Sequence, residues 1–253
     1  MKKEAQTVIA VVALALIFMV SGCVQEKKQQ PTEDVSKAGE SWNASPSIQK
    51  SSDKFIVANP LDLSQIERIS KFRSCIGHDY SGLNNKGDKE TLRSMKHYVE
   101  PLQKLRAGNT VKIFAPFDGK VTELRESTPG KQMFISANAA PSWNFIFFHI
   151  SPLPEVKQGS SVKAGQLVGY AHQEIHNFDI GLKQFSFRGQ VFDSPFLHMP
   201  ASVLDEYAAK GVNPENIIIP KAERDAEPCP VEGTRNGDAI FPGSRDQDYV
   251  KLK

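Results

Sequence analysis

Residues 147–171 read "FFHISPLPEVKQGSSVKAGQLVGYA" and decide what kind of fold this chain adopts. An apolar run ends at His149, and two turns containing Gly159 and Gly165 follow it. Glycines between short runs of valine and leucine are typical of β-hairpins, because glycine adopts the backbone angles that tight turns require. The segment therefore predicts antiparallel strands, with a histidine at the end of one of them.

The same β pattern continues on both sides of this segment. "TVKIFAP" (110–116) alternates apolar and polar residues, and "DG" (118–119) is a hairpin signal leading into "KVTELRE" (120–126). Short strands separated by turn signals predict a mainly β domain, an antiparallel sandwich or half-open barrel with appended helices. Further strands are predicted in "KQMFISA" (131–137), "WNFIFFHIS" (143–151), "HNFDIGL" (176–182) and "GQVFDS" (189–194).

Three short helices are expected beside the strands. Apolar residues recur every three positions from 63 to 72, which favours an amphipathic helix. A second helix is predicted near 89–106, with apolar side chains on one face and His97 on the opposite, solvated face. A third is predicted at about 201–210, between a proline and a glycine.

The first residues predict an export signal. Lys2 and Lys3 precede an unbroken apolar run of thirteen residues, which ends in "VSGC" at 20–23. This run is shorter than the roughly 20 residues that a membrane-spanning helix needs, so residues 1–22 are predicted to be a signal peptide. "VSGC" resembles a lipobox, which implies that cleavage leaves Cys23 as a lipidated N-terminus. An uncleaved signal anchor is the alternative.

This resemblance implies a protein that is lipid-anchored at the extracytoplasmic face of a membrane while its domain stays in water. Residues 23–53 are rich in Gln, Lys, Glu and Ser and poor in apolar residues, which predicts a flexible tether. The net charge of +2 falls to +1 without residues 1–22, and a nearly neutral chain gives no reason to expect nucleic acid binding. The expected partners are the membrane and a polymer or protein of the cell envelope.

Three segments, in order, carry a resemblance to a known family. "VKIFAPFDGKVTELRE" (111–126) is similar to V-x-A-P-x-x-G-x-V, "FFHIS" (147–151) is similar to Y-x-H-L-S, and paired glycine turns follow at 156–171. Together with "GHDYSG" (77–82) and "HNFDIGL" (176–182), they resemble the lysostaphin-type zinc endopeptidases, whose β fold is called the duplicated hybrid motif. The resemblance implies a zinc-bound water that attacks a peptide cross-bridge of peptidoglycan.

In that family the metal is held by H-x-x-x-D and by the last histidine of H-x-H. His149 occupies the assisting position of Y-x-H-L-S, and Asp79 in "CIGHD" fits the metal-binding aspartate. The match puts Cys75 at the first ligand position, and a cysteine thiolate is also a zinc ligand. In an extended segment Cys75 and Asp79 share a face, while His78 points away from it.

The second metal motif departs further from the family pattern. Asn177, a poor zinc ligand, takes the place of the ligand histidine, and Ile175 takes the place of the assisting one. His176 lies beside these positions, and a β-bulge would be needed to turn it, or His78, inward. The resemblance therefore implies three sets of residues: Cys75, His78, Asp79 and His176 for the metal, His149 and His176 for catalysis, and Asn177 and Asp179 as groups that orient the ligands.

The cysteines allow three interpretations. If Cys23 carries a lipid, Cys75 and Cys229 remain as an even pair in a non-reducing compartment, where a disulfide would join the C-terminal residues to the domain. A free thiol or a metal-bound thiolate are the competing roles. Residues 54–220 are expected to form the β domain with its helical insertion, and residues 221–253 a polar, irregular tail.

The departures at the ligand positions favour a degenerate, metallopeptidase-like domain that binds at the cell envelope without hydrolysis. The alternative is a zinc-dependent endopeptidase with a rearranged site, so the sequence leaves open whether the protein is an enzyme. The decisive observation is whether the rings of His78, His149 and His176 gather around the carboxylate of Asp79.

Overall fold

The structure, a computed structural model, describes residues 54–172, 176–243 and 245–253. The predicted signal peptide (1–22) and the lipidated cysteine with its tether (23–53) lie outside the described residues and stay predictions. Within the described ranges, no helix combines the length and the apolar character needed to cross a membrane.

Strands account for most of the regular structure. The helices are short: α1 (Ala201–Ala208), α2 (Pro214–Ile217) and α3 (Lys221–Ala226), with 3₁₀ turns at Leu63–Gln65, Gln103–Leu105, Pro195–His198 and Asp246–Asp248. The described residues form fourteen strands: β1 (Ile66–Ser70), β2 (Leu83–Asn84), β3 (His97–Pro101), β4 (Lys112–Phe114), β5 (Gly119–Glu126), β6 (Lys131–Ala137), β7 (Trp143–Pro152), β8 (Ser161–Val162), β9 (Leu167–Ala171), β10 (Phe178–Ser186), β11 (Gly189–Asp193), β12 (Gly233–Arg235), β13 (Asp238–Ile240) and β14 (Tyr249–Lys251).

Twelve of these strands form one mainly antiparallel sheet. Its main path runs β14-β1-β3-β10-β7-β6-β5-β8, while β9 joins β7 to β4 and β11 joins β10 to β2. The path does not close on itself, and β12 and β13 form a separate hairpin. The prediction of a mainly β, half-open antiparallel fold with appended helices is confirmed.

The two faces of the sheet have different roles. Phe147 on β7 and Leu182 on β10 are fully buried in the main hydrophobic core. Because side chains alternate across a strand, Phe148 and Asp179 lie on the opposite face. That second face carries a smaller apolar cluster, which includes Phe148 and Phe134, and it forms the floor of the cavity described below.

Two of the three predicted helices are wrong. At 63–72 a single 3₁₀ turn is followed by β1, and the segment 89–106 contains β3 rather than a helical insertion. β3 pairs with β1 on one side and β10 on the other, so its backbone N–H and C=O groups form hydrogen bonds along both edges of the strand. This pairing overrides the local spacing of apolar residues. The helix expected at about 201–210 is confirmed as α1.

The prediction of an irregular tail at 221–253 is also wrong, because the C-terminal residues belong to the domain. β14 completes the sheet beside β1, and Cys229 forms a disulfide with Cys75 across a Cα–Cα distance of 5.2 Å. The backbone N–H of Phe241 donates to the carbonyl of Gly77 at 3.0 Å. The β12–β13 hairpin therefore lies against the segment that carries His78.

Candidate functional site

A cavity of about 680 Å³ opens on the face of the sheet opposite the main core. Its floor comes from β3, β10 and the end of β7, and its wall from the β12–β13 hairpin and the residues around Gly77. The residues that line it include His78, Lys96, His149, His176, Asp179 and Arg235.

A lysine ammonium lies at the floor of this cavity. Lys96 is 3% exposed, and its Nζ donates a hydrogen bond to Asp179 Oδ2 at 2.7 Å. Nζ also lies 4.7 to 5.0 Å from the ring centres of Tyr80, Tyr98 and Phe148, a cation–π arrangement. Burial lowers the pKa of Lys96, but the charge and hydrogen bond of Asp179, together with Tyr98 and Tyr80, outweigh burial, and the net shift is upward. The lysine is therefore a fixed positive charge.

His78 enters the cavity because the chain turns at Gly77. Gly77 has a φ of +72°, a left-handed conformation that breaks the alternation of an extended segment. His78 Nδ1 donates to the carbonyl of Asp79 at 3.0 Å, and His78 Nε2 accepts from Lys96 Nζ at 3.4 Å. Burial and the charge of Lys96 lower the pKa of His78. His78 Nε2, the ring nitrogen that could bind a metal, instead accepts a hydrogen bond from the ammonium group of Lys96.

His149 reaches the cavity through a distortion of β7. The register between β6 and β7 shifts between Lys131 and Met133, and His149 has a φ of +56°. A bulge with a left-handed residue re-aims a side chain in this way. His149 Nδ1 donates to the carbonyl of Pro129 at 3.0 Å, which fixes the ring.

His176 and Asn177 line the same cavity, and His176 is exposed there. Ile175 lies outside the described residues. The structure thus brings three of the predicted histidines, 78, 149 and 176, to one cavity together with Asp179.

Asp79 does not join these histidines. Its Oδ1 accepts from Ser81 Oγ at 2.6 Å and from the backbone N–H of Arg93 at 3.2 Å, and Asp79 lines a separate cavity. The expectation that Asp79 faces the site while His78 points away is reversed, because Gly77 shifts the alternation by one residue. The carboxylate acts as a turn former at this position.

Cys75 is not a metal ligand. It is fully buried and bridged to Cys229, so its sulfur is not the thiolate that binds zinc. The disulfide interpretation is confirmed, and the metal-bound role of Cys75 is wrong.

His97 is also placed differently from its prediction as a solvated residue. It is fully buried on the core side of β3, where Nδ1 donates to the carbonyl of Ser70 at 2.7 Å and Nε2 accepts from Ser194 Oγ at 3.0 Å. Burial lowers the pKa of His97 to about 4, so the ring is neutral at physiological pH. Its role is structural.

The residues of the cavity do not fit a zinc ion. Among the described residues, no group of three or more His, Cys, Asp and Glu is arranged to hold a metal. A zinc ion bound to His78 Nε2 at about 2.0 Å would lie within about 5.4 Å of Lys96 Nζ. At an effective dielectric constant of about 20, a dication and an ammonium at that distance repel each other by roughly 6 kcal/mol. The lysine therefore competes directly with a metal for this position.

One buried carboxylate oxygen at the floor of the cavity lacks a donor. Asp179 is fully buried, and while Oδ2 binds Lys96, Oδ1 has no hydrogen-bond partner among the described residues. A buried carboxylate oxygen without a donor costs free energy of folding.

The sequence reasoning missed Lys96 and the hairpin residues Arg235 and Asp238, which also line the cavity. A strand interpretation of "SMKHYVE" would have found Lys96, because a lysine flanked by Met95 and His97 in a central strand must be paired when buried. No local signal identifies its partner Asp179, which lies 83 positions away.

Solved structures with partly similar folds include peptidases of the lysostaphin type. A putative glycyl-glycine endopeptidase LytM from Ruminococcus gnavus is 19% identical, with a TM-score of 0.34 over 40% of this chain and 44% of that chain. The catalytic domain of the antimicrobial peptidase lysostaphin from Staphylococcus simulans is 22% identical, with a TM-score of 0.35 over 52% of this chain and 92% of that one. A structure of the SpoIIQ–SpoIIIAH pore-forming complex is 16% identical, with a TM-score of 0.40 over 61% and 98%.

These neighbours include members of the family that the sequence resembles. This chain spans less than half the length of the first of them, the Ruminococcus gnavus structure. No protein-family model matches the sequence, and no curated protein matches it. The residue assignments above therefore rest on the geometry of the cavity.

Proposed function

We propose that this protein is a lipid-anchored, extracytoplasmic lipoprotein whose lysostaphin-like domain binds a ligand of the cell envelope without hydrolysing it. The observation that carries the proposal is the buried ammonium of Lys96, paired with Asp179 in the cavity that also holds three histidines. A lysine supplies positive charge, but it cannot activate a water molecule as a zinc ion does.

The cavity residues support binding rather than proton transfer. His78 uses both ring nitrogens, one toward the carbonyl of Asp79 and one toward Lys96, so it is not free to act as a general base. Arg235 and Asp238 offer opposite charges at the exposed hairpin wall. Such a mixture of donors and acceptors suits the amide groups of a peptide.

The resemblance of the sequence to lysostaphin-type enzymes supports the peptide portion of a wall polymer as the ligand. A protein partner in the envelope presents the same amide chemistry. The anchor and the location rest on the predicted signal and lipobox at Cys23, which lie outside the described residues.

The second candidate is a zinc-dependent endopeptidase with a rearranged site. Its support is that His78, His149 and His176 line one cavity with Asp179. For that site to form, Lys96 would have to leave the position in which Asp179 and three aromatic rings hold it. This requirement makes it the weaker candidate.

The test uses the full chain in detergent and isolated peptidoglycan. We expect the chain to sediment with the polymer, and we expect no new free amino groups in the polymer, with or without added zinc. Arg235→Gln, an exposed change at the cavity wall, should weaken sedimentation, whereas Asp205→Asn, an exposed aspartate on α1, should not. Zinc-dependent release of amino groups would establish the endopeptidase instead.

A further inference from the structure

The hairpin between β10 and β11 presents two phenylalanines to solvent. Phe185 and Phe187 are 62% and 66% exposed, and we call residues 185–188 the aromatic tip. Ser186 pairs with Gly189, so Phe187 and Arg188 form a two-residue turn. A Cβ atom added at Gly189 would meet nothing within 4 Å, so the space beside the turn is open.

Such exposure is unusual for two large apolar side chains on one turn. Scattered apolar residues are normal on a protein surface, but neighbouring aromatic side chains at a protruding turn mark a contact with another apolar phase. Neither ring contributes to the hydrophobic clusters that hold the described domain together.

The tip carries one exposed cation. Arg188 is exposed beside Phe187, whereas Lys183, whose Nζ lies 5.0 Å from the ring centre of Phe185 and donates to Gln190 Oε1, is only 6% exposed. Neither Lys183 nor Arg188 forms an ion pair within the described part of the chain. Aromatic rings beside an exposed cation suit the boundary between acyl chains and anionic headgroups.

Packed side chains connect the base of the hairpin to the point where the described chain begins. Next to Phe185, Gln184 pairs with Trp143, whose ring centre is 5.3 Å from that of His198. The His198 ring is in turn 5.0 Å from Phe55, and Lys54 is the first described residue. The N-terminal end of the domain, to which the predicted tether connects, is therefore linked to the base of the hairpin through Trp143 and His198.

We propose that the aromatic tip inserts into the anionic membrane surface to which Cys23 anchors the chain. This inference rests on the lipid anchor of the proposed function. The flexible tether that the sequence predicts for residues 23–53 would have a root-mean-square length of about 30 Å, which would keep the domain close to the bilayer. Because the tether keeps the tip at a high local concentration beside the lipid, weak insertion of the two rings is enough to orient the domain. The cavity is then held at a defined height above the lipid.

The test uses the full, lipidated chain in vesicles of phosphatidylcholine and phosphatidylglycerol at about 3:1, an anionic surface. Phe187→Trp places a fluorophore on the tip, and Val231→Trp places one at another exposed position outside it, where the native side chain is 48% exposed against 66% for Phe187. Brominated phosphatidylcholine should lower the fluorescence of the tip tryptophan about twofold and leave that of the control unchanged. The native Trp42 and Trp143 are present in both variants, so the difference isolates the new residue.

The outcomes distinguish insertion of the aromatic tip into the membrane from lipidation of Cys23. Mass spectrometry of the N-terminal residue reports lipidation of Cys23 independently of the quenching. A lipidated chain whose tip tryptophan is not quenched overturns the inference and leaves the anchor standing, whereas quenching without lipidation supports the tip alone. Loss of a dimer on changing Phe185 and Phe187 to Ser, with no lipid quenching, would assign the surface to a second copy of the chain and overturn the inference.

Discussion

The pair formed by Lys96 and Asp179 gives the sharpest prediction. Changing Asp179 to Asn removes the negative charge but keeps the size of the side chain, so the ammonium of Lys96 stays buried without a counter-charge. Both side chains are almost inaccessible, 3% and 1% exposed, so water cannot take over the role of the carboxylate. Breaking a buried pair by removing one partner costs about 3–5 kcal/mol.

We expect Asp179→Asn to lower the free energy of unfolding by about 3 kcal/mol, near the low end of this range. The reason is that the rings of Tyr80, Tyr98 and Phe148 still stabilise the ammonium. Lys96→Met should cost more, about 4 kcal/mol, since the carboxylate of Asp179 already has one oxygen without a partner. The double variant should recover about half of the summed loss, because both charges are gone.

The assay is equilibrium denaturation of the full chain in detergent under oxidising conditions, with Asp205→Asn as the surface control. A loss of about 3 kcal/mol lowers the midpoint of thermal unfolding by roughly 6–12 °C for a domain of this size. Single variants that each lose less than about 1 kcal/mol, or losses that simply add in the double variant, would refute the coupled pair.

Three further changes test the account of the fold. The folded pKa of His97, about 4, lies below its ordinary value of about 6.5, so the unfolded chain binds the proton first as the pH falls. The free energy of unfolding should therefore drop by about 2 kcal/mol from about pH 7.5 to about pH 5, and His97→Gln should flatten this slope in a pH series of denaturation curves. Cys229→Ser opens a disulfide between residues 154 positions apart, and we expect a loss of about 2–4 kcal/mol in the same assay; an unchanged curve would show that the bridge does not stabilise the domain. Gly77→Ala should cost about 2–3 kcal/mol, because its Cβ would overlap Tyr98 Oη and its φ is positive, whereas Gly159→Ala, with no atom within 4 Å, should lose only the backbone part, about 1 kcal/mol.

The β framework could be predicted from the sequence because its signals are local. The "DG" turn at 118–119 and the apolar run in 143–151 predict β5 and β7 directly. The segment around 89–106 could not be predicted in this way. Leu92 has a φ of +53° and is 38% exposed, so the helical spacing of its apolar residues is coincidental, and β3 exists because two other strands pair with it.

The site was predictable only in part for a similar reason. Motif matching placed His149 and Asp179 at the cavity, and local chemistry indicated the Cys75–Cys229 bridge. The inward turn of His78 depends on one glycine conformation, and the ammonium of Lys96 depends on a contact between distant strands. Neither is encoded in the spacing of nearby residues.

The zinc content of the full chain tests the central claim most directly. Protein equilibrated with zinc and then desalted should carry far less than one zinc ion per chain by elemental analysis, because Lys96 holds the position beside His78 and Asp179. Lys96→Met should bind zinc more tightly than the wild type, since the repulsion of roughly 6 kcal/mol is removed. One zinc ion per wild-type chain, lost on changing His78 to Ala, would contradict the account and show a working metal site.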